Sequence, residues 1–388
     1  MLAARLLAIA AGAALMVAVT EASSQTHFYT VDQAVITDGA PGSLIHNEKI
    51  DVSPYGGSKY RILYRSVGLE GEPIAVSGMV FVPGGDEPAG GWPIVAWGHP
   101  TSGLVPKCAP SVAGFGTDQV QGLEHLMQQG YVVTATDYPG LGVPGPHPYL
   151  IGESEGRAVL DSIRAARELM GGQSPYAALW GHSQGGQAVL FAGRLAPAYA
   201  PDLRLLGVGA AAPATYLAQL LRDDIDTYGG KNLLAMTLYS WNEVFDAPMA
   251  QVVEPQAIPV VNALAQVCLE TIEDLPARYI DGQDLMKGFL SVDNITSLEP
   301  WKKLMAENTI GPLQKGMPVL LLQGDADQTV PEPVTTSYFH ASCKAGTDIA
   351  MEVLPGVSHM TAARAGAPHF IKWLDALASG RTVASNCP

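Results

Sequence analysis

A Gly-x-Ser-x-Gly pentapeptide at residues 181–185 contains the residue types that most directly suggest chemistry in this chain. It follows a short apolar run, 176–180, and precedes a helix-like segment, 186–195. Between a strand and a helix, this motif forms a tight turn that exposes its serine. The sequence therefore predicts that Ser183 is a nucleophile at a strand end, with an ordinary strand-to-helix turn as the alternative.

A serine nucleophile needs a histidine as its base, and that histidine needs a carboxylate to orient it. Two later strand ends offer these groups. Asp327 follows the apolar run 317–323, and His359 follows the apolar run 349–354. The chain order of serine, aspartate and histidine is that of the α/β-hydrolases. We therefore predict a catalytic triad of Ser183, Asp327 and His359.

Other side chains compete for these roles. Asp325 lies in the same loop as Asp327, but Asp327 stands closer to the Thr-Val-Pro run at 329–331, which suits the turn that carries the acid. His182 adjoins the serine, and we expect the sharp turn to point the two side chains apart, which leaves His182 a packing or supporting role. Asp137 also follows a strand, and its Pro/Gly-rich loop favours a bracing role.

Acyl transfer places negative charge on the former carbonyl oxygen, so two pre-oriented donors are needed beside it. One donor in this fold is the backbone N–H after the nucleophile, which here belongs to Gln184. The second should come from the loop Gly-His-Pro-Thr-Ser-Gly at 98–103. Pro100 has no N–H, so we predict that Thr101 donates through its backbone, with its hydroxyl as a second candidate. We interpret His99 as a brace for this loop.

Apolar runs alternate with helix-like segments along the chain, which is the pattern of a mostly parallel, doubly wound α/β sheet. Ligands of such sheets bind at the carboxyl ends of the strands, where the residues above are expected. Two alternating segments, 59–67 and 73–83, predict antiparallel edge strands. The parallel-strand candidates are 92–97, 131–136, 176–180, 203–210, 317–323 and 349–354. The helix candidates are 119–129, 153–170, 184–195, 332–342 and 361–378.

One interval interrupts the alternation. Residues 213–311 carry helical patterns without an obvious buried strand. We predict that they form a largely helical cap, or lid, inserted into a catalytic domain made of 25–212 and 312–388. The alternative is that this interval belongs to the core of the catalytic domain.

The first 24 residues have the pattern of a secretory signal peptide: the cation Arg5, an uncharged apolar run at 6–19, and small residues near 22–24. A transmembrane anchor is the alternative, but the run is shorter than the roughly 20 residues that span a bilayer. No later stretch is apolar enough to cross a membrane. We therefore expect a secreted chain, extracellular or periplasmic, with residues 1–24 removed.

Charge and cysteine content limit the possible partners and chemistry. The chain has 22 Lys and Arg against 37 Asp and Glu, a formal net charge of -15, which argues against nucleic acid as a partner. Its four cysteines predict two disulfides in an exported protein, and they lack the C-x-x-C spacing of metal or redox sites. Three pairings are open for Cys108, Cys268, Cys343 and Cys387. Asn294 begins a glycosylation sequon, which matters only in a eukaryotic source.

These features resemble the secretory lipase family of α/β-hydrolases. The resemblance spans most of the chain after residue 24, and Cys-Ala-Pro-Ser at 108–111 is its most family-specific element. Its other elements are 97–101, 137–142, 181–186, Asp327 and His359. The resemblance implies an α/β-hydrolase fold, hydrolysis of carboxylic esters, and a helical cap between the serine and the acid. It also implies disulfides that pair Cys108 with Cys268 and Cys343 with Cys387.

The sequence departs from similar proteins at one position of the proposed site. Many of them have His-Gly-Thr in the loop after the strand, whereas here Pro100 replaces the glycine, which suggests a different acyl-group preference. We predict a secreted serine esterase or lipase that acts on a small-molecule or lipid ester without a metal or organic cofactor. The alternatives are a serine peptidase or amidase of the same fold and a noncatalytic secreted binding protein.

Overall fold

A computed structural model describes residues 28–51, 55–113, 119–223, 225–269 and 274–388. The predicted signal peptide, residues 1–24, lies outside these described residues. Within them, no helix combines the length and the apolar composition that a membrane span requires.

Nine strands of the described chain form one sheet in the order β1-β2-β3-β5-β4-β6-β7-β8-β9. The strands are β1 (Leu44–Asp51), β2 (Ser58–Val67), β3 (Pro73–Val82), β4 (Ile94–Gly98), β5 (Val132–Thr136), β6 (Ala177–His182), β7 (Leu205–Ala211), β8 (Val319–Gly324) and β9 (Ile349–Leu354). The first three strands are antiparallel, and β3 also runs antiparallel to β5. All remaining pairs are parallel. The mostly parallel sheet confirms the predicted α/β-hydrolase class.

Helices cover both faces of the sheet, which explains why the central strands are buried and mostly apolar. The helices are α1 (Gln33–Thr37), α2 (Pro110–Ala113), α3 (Leu123–Gln128), α4 (Gly152–Leu169), α5 (Gln184–Tyr199), α6 (Leu217–Asp223), α7 (Tyr228–Phe245), α8 (Ile258–Ala265), α9 (Leu275–Lys287), α10 (Trp301–Glu307), α11 (Glu332–Ala345) and α12 (Ala362–Ala378). In β4, Ile94 and Ala96 pack into the core on the side of α4 and α5. Val95 and Trp97 pack into the core on the side of α3 and α12.

The edge strand β1 has no counterpart among the predicted strands. Its sequence, LIHNEKID, contains few apolar residues, and most of its side chains are exposed. Strand β1 lies at the edge of the sheet, and its described side chains, 44–50, are half-buried or exposed. The hydrophobic pattern that predicts buried strands is therefore absent here.

Between β7 and β8 the described chain is helical and contains α6 to α10. An isolated bridge between Val253 and Leu290 joins two of its connecting segments. The side chains of α7 hold this region to the loop before α4: the Trp241 indole N–H donates to the Tyr149 carbonyl at 2.9 Å, and the Ser240 hydroxyl donates to the His147 carbonyl at 2.6 Å. The boundaries of the cap at 213 and 311 remain a prediction.

Two disulfides are present, as predicted. Cys108 pairs with Cys268 and joins the loop after β4 to the helical interval. Cys343 pairs with Cys387 and fixes the C-terminal tail to α11. These are the pairings that the family resemblance implies.

Candidate active site

The predicted site residues meet at the carboxyl edge of the parallel strands. Ser183 directly follows β6, Asp327 lies in the loop after β8, and His359 lies in the loop after β9. Thr101 lies in the loop after β4, which pairs directly with β6. Because parallel strands all end at the same edge, residues that are far apart in sequence converge there.

Ser183 occupies a strained backbone conformation between β6 and α5. Its φ of 57° and ψ of -117° lie in a region that residues with side chains rarely adopt. A Cβ at Gly181 would stand 2.2 Å from the Gly185 carbonyl oxygen, and a Cβ at Gly185 would stand 2.0 Å from the Gly98 carbonyl oxygen. The two glycines therefore permit the close backbone approach that makes this turn possible.

A continuous line of hydrogen bonds joins the three predicted triad residues. The His359 Nε2 atom lies 2.9 Å from the Ser183 hydroxyl oxygen. The His359 Nδ1 atom lies 2.8 Å from Asp327 Oδ2. With Nδ1–H donating to the carboxylate, Nε2 is free to accept the proton of the serine hydroxyl.

The Asp327 carboxylate is fixed by its own loop. Its Oδ1 atom accepts the backbone N–H groups of Thr329 at 2.9 Å and Val330 at 2.8 Å. Burial opposes its ionisation, but the hydrogen bond and charge of His359, with these two N–H groups, outweigh burial and lower the pKa of Asp327. Asp325 instead accepts the Gly356 N–H at 2.6 Å and is engaged with the neighbouring loop.

The side chain of His182 holds the backbone of His359 in place. Its Nε2 atom lies 2.9 Å from the His359 carbonyl oxygen, so Nε2 carries the proton and donates. Burial and the neighbouring His359 lower the pKa of His182 to about 3. His182 is therefore a neutral imidazole that holds the backbone of His359.

The two residues predicted to stabilise the oxyanion are both present at the site. Gln184 begins α5, and Thr101 lies with Ser183 in the wall of one cavity. The Thr101 hydroxyl lies 3.0 Å from the Tyr149 hydroxyl. The sequence did not single out Tyr149, because an isolated tyrosine in a Pro-rich loop has no distinguishing pattern.

Beneath the serine turn, the side chain of Gln184 connects two buried titratable groups. Its amide nitrogen donates to Glu155 Oε1 at 2.7 Å and to His147 Nε2 at 3.1 Å. Burial raises the pKa of Glu155 to about 8, against the hydrogen bonds from Gln184 and from the Leu150 N–H. Burial also lowers the pKa of His147 to about 3, so both groups favour their neutral forms.

Asp137 braces the loops beside the site. Its carboxylate accepts the Ser77 hydroxyl at 2.6 Å, the Ser111 N–H at 2.9 Å, and the Ser111 hydroxyl. Burial raises its pKa to about 6 despite these bonds. Ser111 ends the Cys-Ala-Pro-Ser segment, so this segment is held to the loop after β5. His99 lies beside the same loop, with its Nε2 atom 3.2 Å from the Asp137 carbonyl oxygen.

A cavity of about 760 Å³ opens onto Ser183 and His359. Its wall includes Trp97, Leu233, Leu269 and other apolar side chains from the carboxyl edge of the sheet and from the helical interval. This volume is in the range of sites that bind small organic molecules, and apolar walls suit hydrocarbon chains.

Comparison with solved structures finds the same fold. Candida antarctica lipase A in its closed state superposes with a TM-score of 0.74 at 21% identity, covering 93% of this chain and 87% of that one. LipA from Xanthomonas oryzae, described as a rice cell wall degrading esterase, gives a TM-score of 0.73 at 21% identity and covers 89% of this chain and all of that one.

Sequence comparison finds similarity to fungal lipases. Lipase 2 of Candida albicans is 29% identical over 282 residues, which cover 67% of this chain and 58% of Lipase 2. Lipase A of Arthroderma benhamiae is 25% identical over 391 residues, which cover 89% of this chain and 75% of that protein. The chain thus spans less than two thirds of Lipase 2.

Residues 116–386 match the sequence model of one family. The match covers most of the chain and confirms the resemblance seen in its motifs: the chain belongs to the secretory lipase family.

Proposed function

We propose that this chain is a secreted serine hydrolase of carboxylic esters, an esterase or lipase that works through an acyl-enzyme on Ser183. The observation that carries the proposal is the hydrogen-bonded line from the Ser183 hydroxyl through His359 to Asp327, with distances of 2.9 Å and 2.8 Å. Membership of the secretory lipase family supports the same reaction class.

In the first half-reaction, Ser183 Oγ attacks the ester carbonyl carbon while its proton passes to His359 Nε2. The tetrahedral intermediate collapses as the carbon–oxygen bond to the alcohol breaks. His359 gives its proton to the departing alcohol, and the acyl group remains on Ser183. Asp327 keeps His359 in the correct tautomer and stabilises its transient positive charge.

In the second half-reaction, His359 takes a proton from a water molecule that attacks the acyl-enzyme. The carboxylic acid product leaves, and the proton returns to Ser183. The backbone N–H groups of Gln184 and Thr101 would hold the negative oxygen in both steps. The neutral network of Gln184, Glu155 and His147 supports this assignment, because it fixes the start of α5 without placing a fixed negative charge beside the oxyanion.

We infer export from three independent features. Residues 1–24 have the pattern of a signal peptide. The two disulfides are stable in oxidising compartments outside the cytosol. The family is named for secreted enzymes. The proposed destination is extracellular or periplasmic, and the proposed substrate is a small-molecule or lipid ester that fits the apolar cavity.

The test is hydrolysis of p-nitrophenyl esters of graded chain length by wild type and by Ser183→Ala. We expect kcat to fall by about 10⁴-fold or more, because the serine, histidine and acid act as a unit. Ser337→Ala, at an exposed position on α11, is the matched control and should keep wild-type activity. Retention of most activity by Ser183→Ala would refute the proposal. Hydrolysis of peptide substrates in preference to esters would favour a peptidase or amidase.

A further inference from the structure

Arg278 is a buried cation in the wall of the cavity that contains Ser183. It lies on α9, and only 9% of the residue is exposed. Within the described part of the chain, its Nη1 atom is buried and has no hydrogen-bond partner, and no carboxylate forms an ion pair with its guanidinium. Its Nη2 atom lies 3.4 Å from the Met236 sulfur, which is only a weak acceptor.

Such a group is costly unless something binds to it. The guanidinium stays protonated at any ordinary pH, even though burial lowers its pKa. A buried charge without a partner loses its hydration and gains nothing in return. Arg164 shows the usual solution in the same protein: its guanidinium forms ion pairs with Asp161 and Asp202.

The described part of the surrounding wall carries no negative charge that could neutralise Arg278. Among the described residues that line the cavity, Arg278 provides the one Lys or Arg side chain, and no Asp or Glu is present. Asn232 from α7 lies in the same wall and is buried. Its amide nitrogen donates to the Tyr228 carbonyl at 2.8 Å, so its oxygen is the atom left without a partner in the described structure. The described wall thus combines one buried cation with neutral polar and apolar side chains.

We propose that Arg278 binds a carboxylate on the substrate, so that the preferred esters carry a free acid group in addition to the ester that is cleaved. This inference rests on the proposed esterase function, whose substrate class it narrows. A carboxylate fits better than a phosphate monoester, because one guanidinium balances one negative charge and a phosphate carries about -1.5 to -2 at neutral pH.

The test compares esters that differ only in charge. The mono-p-nitrophenyl esters of adipic, suberic and sebacic acids carry a free carboxylate at increasing distances from the ester. Each has a neutral counterpart of similar shape in which an isopropyl group replaces the carboxylate, such as p-nitrophenyl 6-methylheptanoate for adipate. We expect wild type to have a higher kcat/KM for the acidic ester at one of these lengths.

Arg278→Met keeps the length of the side chain and removes its charge. We expect the ratio of acidic to neutral kcat/KM to fall at least tenfold, while the neutral esters retain their rate. Arg278→Lys should restore part of the ratio. Arg222→Met, at an exposed residue of α6, removes the same charge outside the cavity and should leave the ratio unchanged. An unchanged ratio in Arg278→Met would overturn the proposal.

A binding measurement separates this proposal from the esterase proposal. Calorimetry with Ser183→Ala and monoethyl suberate reports binding without turnover, and adding Arg278→Met should weaken that binding at least tenfold. If wild type hydrolyses both ester series at equal rates, the carboxylate site is wrong and the esterase proposal stands. If no ester is hydrolysed but binding depends on Arg278, the esterase proposal is wrong and the site stands. Thermal unfolding checks that Arg278→Met is folded, and its Tm should equal or exceed that of wild type because an unpaired buried charge is removed.

Discussion

Replacing Glu155 by glutamine should change how the stability of this protein depends on pH. Glu155 lies in the first turn of α4, and its side chain is buried. Its Oε1 atom accepts from Gln184 Nε2 at 2.7 Å and from the Leu150 N–H at 3.0 Å, while Oε2 has no partner within the described structure. Glutamine has the same shape and can accept the same two bonds, but it cannot ionise.

The direction of the effect follows from the raised pKa. Burial raises the pKa of Glu155 from 4.5 to about 8 in the folded protein. The folded state therefore binds the proton of the Glu155 carboxyl group more tightly than the unfolded state does. The contribution of this protonated group to the free energy of unfolding is complete below pH 4.5 and is lost as the pH rises through 8. At about 1.36 kcal/mol per pKa unit, the shift corresponds to about 5 kcal/mol in total, of which about 3 kcal/mol is lost between about pH 5 and pH 7.5.

Urea unfolding of wild type and Glu155→Gln between pH 5 and pH 8.5 measures this effect. Every other titrating group, Asp327 and Asp137 included, contributes equally to both proteins and cancels in their difference. We expect the variant to gain stability over wild type by a few kcal/mol as the pH rises across this range. Glu153→Gln, at an exposed position of the same helix, should show no such gain. Parallel pH profiles for wild type and Glu155→Gln would refute the reasoning.

Two further predictions concern the support of His359 and of the C-terminal tail. His182→Phe keeps an aromatic ring but removes the N–H that donates to the His359 carbonyl. We expect kcat on a p-nitrophenyl ester to fall about tenfold with KM unchanged, because a lost hydrogen bond costs about 1.4 kcal/mol. A change in KM alone would contradict this role. Replacing Cys343 and Cys387 together by serine opens a loop with a sequence separation of 44 residues. This should lower the free energy of unfolding by about 4 kcal/mol while activity at 25 °C persists, and an unchanged Tm would contradict it.

The positions of the proposed triad residues could be predicted because a strong local rule applies to them. Each follows a continuous apolar run, and parallel strands in a doubly wound sheet present their ends at one edge. The rule needs only the order of strands and the residue types that follow them. It therefore placed Ser183, Asp327 and His359 near one another without any knowledge of their distances. The edge strand β1 was not predicted, because its sequence lacks the apolar pattern of a strand with a buried face.

Glu155 and Arg278 could not be found in the same way. Both residues lie on helices, and either helix could form with that side chain exposed to water. Charged residues on helices are usually exposed. Their burial depends on what packs over them: Gln184 and the loop before α4 cover Glu155, and Met236 of α7 lies beside Arg278. These are contacts between distant segments, which periodicity within one helix does not report.

Pro100, which replaces the glycine found in similar sequences, and the unpaired cation Arg278 both line the cavity that contains Ser183. Pro100 removes one backbone donor from the loop after β4, and the Thr101 hydroxyl next to it is engaged with Tyr149. Burial raises the pKa of Tyr149, against the hydrogen bond with Thr101 and the charge of Arg278, so Tyr149 interacts with both side chains. A buried cation on this wall attracts negative charge more strongly than it would in water, which favours an acidic substrate group at Arg278. A proline at position 100 is therefore compatible with the proposed catalysis, because the two proposed oxyanion donors are the N–H groups of Gln184 and of Thr101, which follows the proline.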